Sequence, residues 1–260
     1  MIELNILSTG DGTSQPVLFH KANSDNRPLL VGFHTWSHDR FNQVDNMLPY
    51  AVKYDWNLLL PEFRGPNLKK NTCCKDSCGS DIAIRDVFDA IEYVAEKYSV
   101  DEKNVFLLGA SGGGQMTLLT LAQRPEKFKA AAAFVPLCDL EKWYYSWSEK
   151  EDIRGYKQDI EACLGGAPSK DNIAEYKKRS PICYIKELSR ANLKIFHGKY
   201  DDTISVTQSI DLFGKIFDCN REAHVFLDIF DGGHEMDMES AFYWFMSQSH
   251  NKKSKKEVTG

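Results

Sequence analysis

A serine attacks a carbonyl only when a base takes its proton and a third group orients that base. The segment Gly109-Ala110-Ser111-Gly112-Gly113 is a G-x-S-x-G. A chain of this length shows that pattern by chance about one time in ten at average glycine and serine usage. Its setting sharpens it. Asn104–Ala110 reads as a buried strand and a helix follows at once, the order in which a chain turns tightly around a strained, exposed serine. Ser111 is thereby a candidate nucleophile at a helix N-terminus, where developing negative charge is favoured. Two phosphate-binding readings fail: no G-x-x-x-x-G-K-[ST] loop is present, and Gly109-x-x-x-Gly113 has the wrong spacing for a dinucleotide fingerprint.

On a strand-turn-helix elbow of this kind the partners follow in the order serine, acid, histidine. Four histidines lie downstream: His197, His224, His234 and His250. The first two fall in predicted strands and the last in a frayed end. His234 closes the loop Asp231-Gly232-Gly233-His234 after the last predicted strand, where an imidazole can reach the elbow. Lys199-Tyr200-Asp201-Asp202 follows the preceding strand, Leu193–Gly198, at the same end of the sheet, and either aspartate is a candidate acid. The backbone N–H of Gly112 is one expected oxyanion donor, with the second from His34-Thr35-Trp36-Ser37-His38. His34 and His38 have the i, i+4 spacing of metal ligands, but no third ligand accompanies them. Neither metal nor cofactor is expected.

These residues need a scaffold that brings strand ends together. Runs rich in Val, Ile, Leu and Phe predict strands at Ser14–Lys21, Pro28–His34, Trp56–Glu62, Asn104–Ala110, Lys129–Pro136, Leu193–Gly198 and His224–Phe230, with a weaker one at Ile2–Ser8. Helical periodicity marks Asp81–Tyr98 most clearly and also Gln43–Tyr54, Gly113–Ala122, Val206–Phe217 and Glu235–Ser249. Two early strands followed by strand-helix alternation predict an α/β fold, a mostly parallel twisted sheet flanked by helices. Residues 137–192 contain no good strand and are too long for an ordinary connection, so they predict a helical lid insert. Its aromatic residues Trp143, Tyr144 and Trp147 are candidate substrate-binding groups, with plain packing of the insert as the competing reading.

Composition bounds the class. The 260 residues, 42% hydrophobic and 27% charged, fit one globular domain over residues 1–250. Net charge is −5, and residues 1–250 alone carry −8 because four lysines and one glutamate occupy 251–260. An acidic body repels phosphate backbones, so nucleic acid is not an expected partner. Residues 251–260 read as a basic, disordered tail. No apolar run approaches the about 20 residues a membrane-spanning helix needs. The first residues lack the pattern of a signal peptide. With seven cysteines, an odd number, the expectation is reduced thiols in a cytoplasmic protein. Cys73, Cys74 and Cys78 crowd together without a second pair to complete a zinc site.

Gly109–Gly113, His197-Gly198-Lys199-Tyr200-Asp201 and Gly233-His234 together resemble an α/β-hydrolase of the prolyl oligopeptidase type. Phe63-Arg64-Gly65 and Ser180-Pro181 resemble further segments of that family, and the likeness runs from about Pro28 to His250. The resemblance implies Ser111 as nucleophile, Asp201 as acid and His234 as base. It also implies Gly112 and Trp36 as oxyanion donors, with Thr35 as the alternative because His34-Thr35-Trp36 departs from the family's frequent His-Gly-Gly. A chain of this length has no room for the family's β-propeller, and single-domain relatives are often esterases. The resulting expectation is a serine hydrolase cleaving small-molecule or oligosaccharide esters, such as acyl groups on plant-derived carbohydrates, through an acyl-enzyme. The alternatives are a serine peptidase acting on short peptides and an inactive hydrolase fold used for binding.

Overall fold

The computed structural model describes residues 1–148 and 151–249; the basic tail expected at 251–260, with His250 and Glu149, lies outside the described residues. Apolar strands segregate into the middle of the molecule and amphipathic helices cover them. The chain opens with strands β1 (Ile2–Leu7), β2 (Ser14–His20) and β3 (Arg27–Phe33), then helix α1 (Val44–Tyr54) and β4 (Asn57–Pro61). Helix α2 (Asp81–Lys97), β5 (Val100–Ala110), α3 (Gly112–Gln123) and β6 (Ala130–Phe134) follow. After the insert come β7 (Leu193–Gly198), α8 (Thr207–Cys219), β8 (Val225–Phe230) and α9 (Met238–Ser249), four short insert helices taking the labels α4 to α7.

The strands form one eight-stranded sheet in the order β1-β2-β4-β3-β5-β6-β7-β8. β1 and β2 are antiparallel, β2 runs antiparallel to β4, and every later pair is parallel. Successive side chains leave a strand on opposite faces. In β5, Val105 and Leu107 therefore pack with Val87 and Ile91 of α2 and Leu118 of α3. Phe106 and Leu108 pack on the other face with Met47 of α1 and Phe242 and Phe245 of α9. Both faces are covered, which is why the central strands read as continuous apolar runs rather than alternating ones.

The predicted strands all occur, with ends moved by a few residues. Residues 137–192 hold no strand among the described residues. They carry α4 (Leu140–Ser146), α5 (Tyr156–Leu164), α6 (Ile173–Lys178) and α7 (Ile185–Leu188). Gln208 of α8 roots this insert in the body, and Ser180 ties the insert to itself. Gln208 Oε1 accepts from the N–H groups of Cys138 and Asp139, both at 2.9 Å. Ser180 Oγ accepts from Leu140 N at 2.9 Å and donates to the Tyr176 carbonyl at 2.7 Å. Ser180-Pro181 thus joins the insert's own helices.

Candidate active site

Ser111 sits between β5 and α3 with φ 58° and ψ −122°, a left-handed backbone that a serine adopts only at a cost. The neighbouring chain over-determines it. Ser111 N donates to the Phe134 carbonyl of β6 at 3.0 Å, and Ser111 O accepts from Gln115 N at 3.0 Å. Gly109 is required because a Cβ there would collide with the Gly113 carbonyl and approach Thr117 Oγ1 to 2.8 Å. The turn is tight because α3 lies directly against the strand that leads into it.

The loops that carry Asp201 and His234 are laced backbone to backbone. Lys199 N donates to the Phe230 carbonyl and Tyr200 N to the Gly232 carbonyl, each at 2.9 Å. That lacing brings His234 Nδ1 to 2.7 Å from Asp201 Oδ2. Asp201 Oδ1 accepts from the N–H groups of Thr203 and Ile204 at 2.9 Å, so both carboxylate oxygens are engaged. Burial works against the charge on Asp201. Hydrogen bonds from His197 and His234, aided by the Ile204 N–H, nevertheless hold its carboxyl well below the ordinary carboxylate range. Asp202 Oδ1 instead faces Thr203 Oγ1 at 3.3 Å. His234 and Ser111 line one cavity of about 250 Å³, with Thr35, Asn42 and Val135 among the other walls.

Gly112 is the first residue of α3, so its N–H has no acceptor within the helix. A Cβ on Gly112 would stand 2.8 Å from Trp36 N, which measures how closely the two backbones approach. Thr35 N donates to Asn42 Oδ1 at 3.1 Å, whereas the Trp36 N–H meets no acceptor among the described residues. The chain is held on both sides of that N–H: the Thr35 carbonyl accepts from His38 N at 3.3 Å and the Trp36 carbonyl from Asn67 N at 2.8 Å. Of the two alternatives, Trp36 is the one with a backbone N–H to offer. His34 and His38, spaced like metal ligands in the sequence, are each engaged locally. The ring nitrogens of His34 lie 2.9 and 3.0 Å from the Thr35 and Glu62 carbonyl oxygens, and its ring stacks on Phe63 at 3.9 Å. His38 Nδ1 meets Thr35 Oγ1 at 2.9 Å.

The aromatic candidates of the insert stand apart from the cavity lining. Trp143 and Tyr144 are buried, 2% and 5% exposed, which leaves no ring face open to a ligand. Trp143 packs edge-on to Trp36 at 4.9 Å and its Nε1 donates to the Thr203 carbonyl at 2.9 Å. Tyr144 gives its hydroxyl to Glu161 Oε1 at 2.5 Å. Trp147 is half-buried and packs on Tyr156 at 5.0 Å. Packing, the competing reading for these rings, is what their surroundings favour. Arg64 of Phe63-Arg64-Gly65 binds Asp86 of α2 at 2.5 Å and Asp11 at 2.8 Å, pinning the β1–β2 turn to the body. All seven cysteines are free, and Cys74 Sγ lies 3.6 Å from the Ala162 carbonyl of α5.

Two residues that serve this site escape a reading by residue type. His197 looks like an ordinary strand residue, yet its Nε2 stands 3.2 Å from Asp201 Oδ2. Its polarity within a buried strand, four residues before the acid, is the available signal. Asn42 carries no such signal.

A mostly parallel sheet with an elbow at one strand end and acid and base loops beyond it defines an α/β-hydrolase fold. The acylaminoacyl peptidase of Pyrococcus horikoshii superposes with a TM-score of 0.72 at 19% identity, over 99% of this chain and 42% of that one. Residues 79–258 match the Prolyl oligopeptidase family, and the chain belongs to that family. It is 26% identical over 200 residues to acylamino-acid-releasing enzyme 1 of Oryza sativa subsp. japonica, covering 72% of this chain and 25% of that protein. It is also 26% identical over 142 residues to the uncharacterized peptidase YtmA of Bacillus subtilis (strain 168), covering 55% of this chain and 51% of that protein. The chain therefore spans a quarter to a half of the lengths of these relatives.

Proposed function

We propose that this protein is a serine hydrolase that cleaves amide bonds of short peptides through an acyl-enzyme. His234 takes the Ser111 proton as Oγ attacks the carbonyl carbon. Asp201 holds the imidazole ring in place and stabilises its charged form, and the N–H groups of Gly112 and Trp36 receive the oxyanion. His234 then gives the proton to the departing amine, and water releases the acyl group by the same steps. The observation that carries this reading is the 2.7 Å bond from His234 Nδ1 to Asp201 Oδ2, with His234 sharing a cavity with the elbow serine.

The relatives' names, acylamino-acid-releasing enzyme and peptidase, support an amide substrate over a carbohydrate ester. Trp143 and Tyr144, the insert's candidate substrate-binding rings, are buried and offer no aromatic surface to a carbohydrate ester. The test compares N-acetylalanine p-nitroanilide, the matching p-nitrophenyl ester and an acetylated oligosaccharide with wild type and Ser111→Ala. Cleavage of the anilide that disappears in Ser111→Ala is expected. Turnover of the acetylated sugar with an intact anilide would overturn the peptidase reading. An inert wild type on all three would leave the binding-module alternative standing.

A further inference from the structure

The cavity beside Ser111 has unlike walls. Ala110, Val135 and Met236 supply apolar surface, and Asn42, Gln43 and Asn46 supply a row of uncharged amides. The amides bond in series. Asn46 Nδ2 donates to Gln43 Oε1 at 3.0 Å, and Gln43 Nε2 donates to Asn42 Oδ1 at 2.8 Å. That last oxygen also takes the Thr35 N–H at 3.1 Å, which ties the row to the loop holding Trp36. A primary amide has two donor hydrogens and an acceptor oxygen with two lone pairs. The series therefore leaves the Asn42 Nδ2 group, one Gln43 Nε2 hydrogen and the Asn46 Oδ1 uncommitted among the described residues. Gln43 is 3% exposed, so its amide is fixed in place.

His234 lines the same cavity, and no described residue of the insert does. A base that takes the serine proton must pass it to the departing group, so the leaving group departs on the His234 side. Glu235, also in the lining and exposed, places a carboxylate at this side.

We propose that Asn42, Gln43 and Asn46 form a leaving-group subsite for the backbone amide that follows a scissile peptide bond, and that Glu235 disfavours a free carboxylate there. The proposal rests on the acyl-enzyme reading and extends it to the leaving side of the substrate. A second amide in the leaving group replaces the water on the row with matched donors and acceptors. A hydrocarbon of the same size leaves those polar groups unpaired.

Acyl transfer reads this subsite directly. The enzyme is acylated with N-acetylalanine p-nitrophenyl ester and offered alaninamide, alanine or 3-methyl-2-butylamine at equal free-amine concentration. The amine nitrogen bonds to the acyl carbon, the carbon–Oγ bond breaks, and the amine proton passes through His234 to Ser111 Oγ. Products of transfer and of hydrolysis are counted by mass spectrometry and normalised to uncatalysed aminolysis of the same ester. The transfer-to-hydrolysis ratio is expected to be about tenfold higher for alaninamide than for either rival, the effect of one to two hydrogen bonds. Asn46→Leu and Gln43→Met are expected to reduce that ratio to the hydrocarbon amine's level, and Glu235→Gln to raise it for alanine. Because both products come from one acyl-enzyme, the ratio does not depend on how much variant is folded. Equal ratios for alaninamide and the hydrocarbon amine, or unchanged discrimination in both amide variants, would overturn the subsite alone. Nitrophenol release by wild type no faster than by Ser111→Ala would overturn the serine chemistry and the subsite with it.

Discussion

His197 Nε2 stands 3.2 Å from Asp201 Oδ2, the same oxygen that bonds His234. His197 is fully buried, with Nδ1 2.7 Å from Ser209 Oγ and Nε2 also 2.9 Å from the Ile204 carbonyl. Two acceptors at Nε2 put a proton on that nitrogen. The carboxylate is thus held from its buried side by a donor that cannot move, and its other face is left to His234. His197→Leu removes that donor. Stability is expected to fall by about 2 kcal/mol, the scale of a lost hydrogen bond to a buried charge, with kcat reduced and KM little changed. Denaturant titration and steady-state kinetics check both.

Asp201 and Asp202 are expected to separate sharply. Asp201→Asn is expected to lower kcat by about 10³-fold or more through misoriented imidazole, and Asp202→Asn by less than about threefold. Acid unfolding supplies an independent check. The folded carboxyl of Asp201 is depressed from its ordinary 3.8, so the stability it contributes is complete above that value and lost as pH falls through the folded one. The stability gap between wild type and Asp201→Asn should shrink as pH falls below about 4. Denaturant midpoints at pH 3 and pH 6 measure it.

Ser111→Ala is expected to lower turnover by at least about 10³-fold with an unchanged fold. Ser111→Gly should be equally inactive yet more stable than Ser111→Ala by about 1 kcal/mol, because glycine tolerates φ 58°. Thermal melts of the two variants side by side check the ordering.

Gly112→Ala forces a methyl group to within 2.8 Å of Trp36 N and pushes the two proposed oxyanion donors apart. A fall in kcat of about 10²-fold is expected, the scale of losing one such donor. Thr35→Ala keeps every backbone N–H and should retain most activity. A reversed ranking of the two variants would move the donor away from Trp36.

Trp143 joins Trp36 to the Thr203 carbonyl, within the turn whose Thr203 and Ile204 N–H groups hold Asp201. Trp143→Phe keeps a ring against Trp36 but leaves that carbonyl without its donor. A loss of about 1–2 kcal/mol of stability is expected, together with a lower kcat and a KM within about twofold of wild type. A large rise in KM alone would favour direct contact between Trp143 and substrate.

The order of chemistry along this chain was legible in its residues. Ser111, an acidic pair after Leu193–Gly198 and His234 follow one another at strand ends, and strand ends are visible because apolar runs stop at glycine and polar residues. The alternation of strand and helix, and the strandless stretch at 137–192, were legible for the same reason. Local composition reports where the backbone must be buried on both faces. What only the tertiary structure decided are contacts between segments far apart in sequence. Residue type left Asp201 and Asp202 level and only the resemblance pointed to Asp201; which carboxylate meets His234 depends on how the laced loops turn. The choice of Trp36 over Thr35 depends on Asn42 occupying one N–H and not the other. The burial of Trp143, the reach of His197 to Asp201 and the amide row beside Ser111 likewise arise from packing between elements. Periodicity records that a residue is apolar or polar; it carries no information on which distant backbone group that residue will meet.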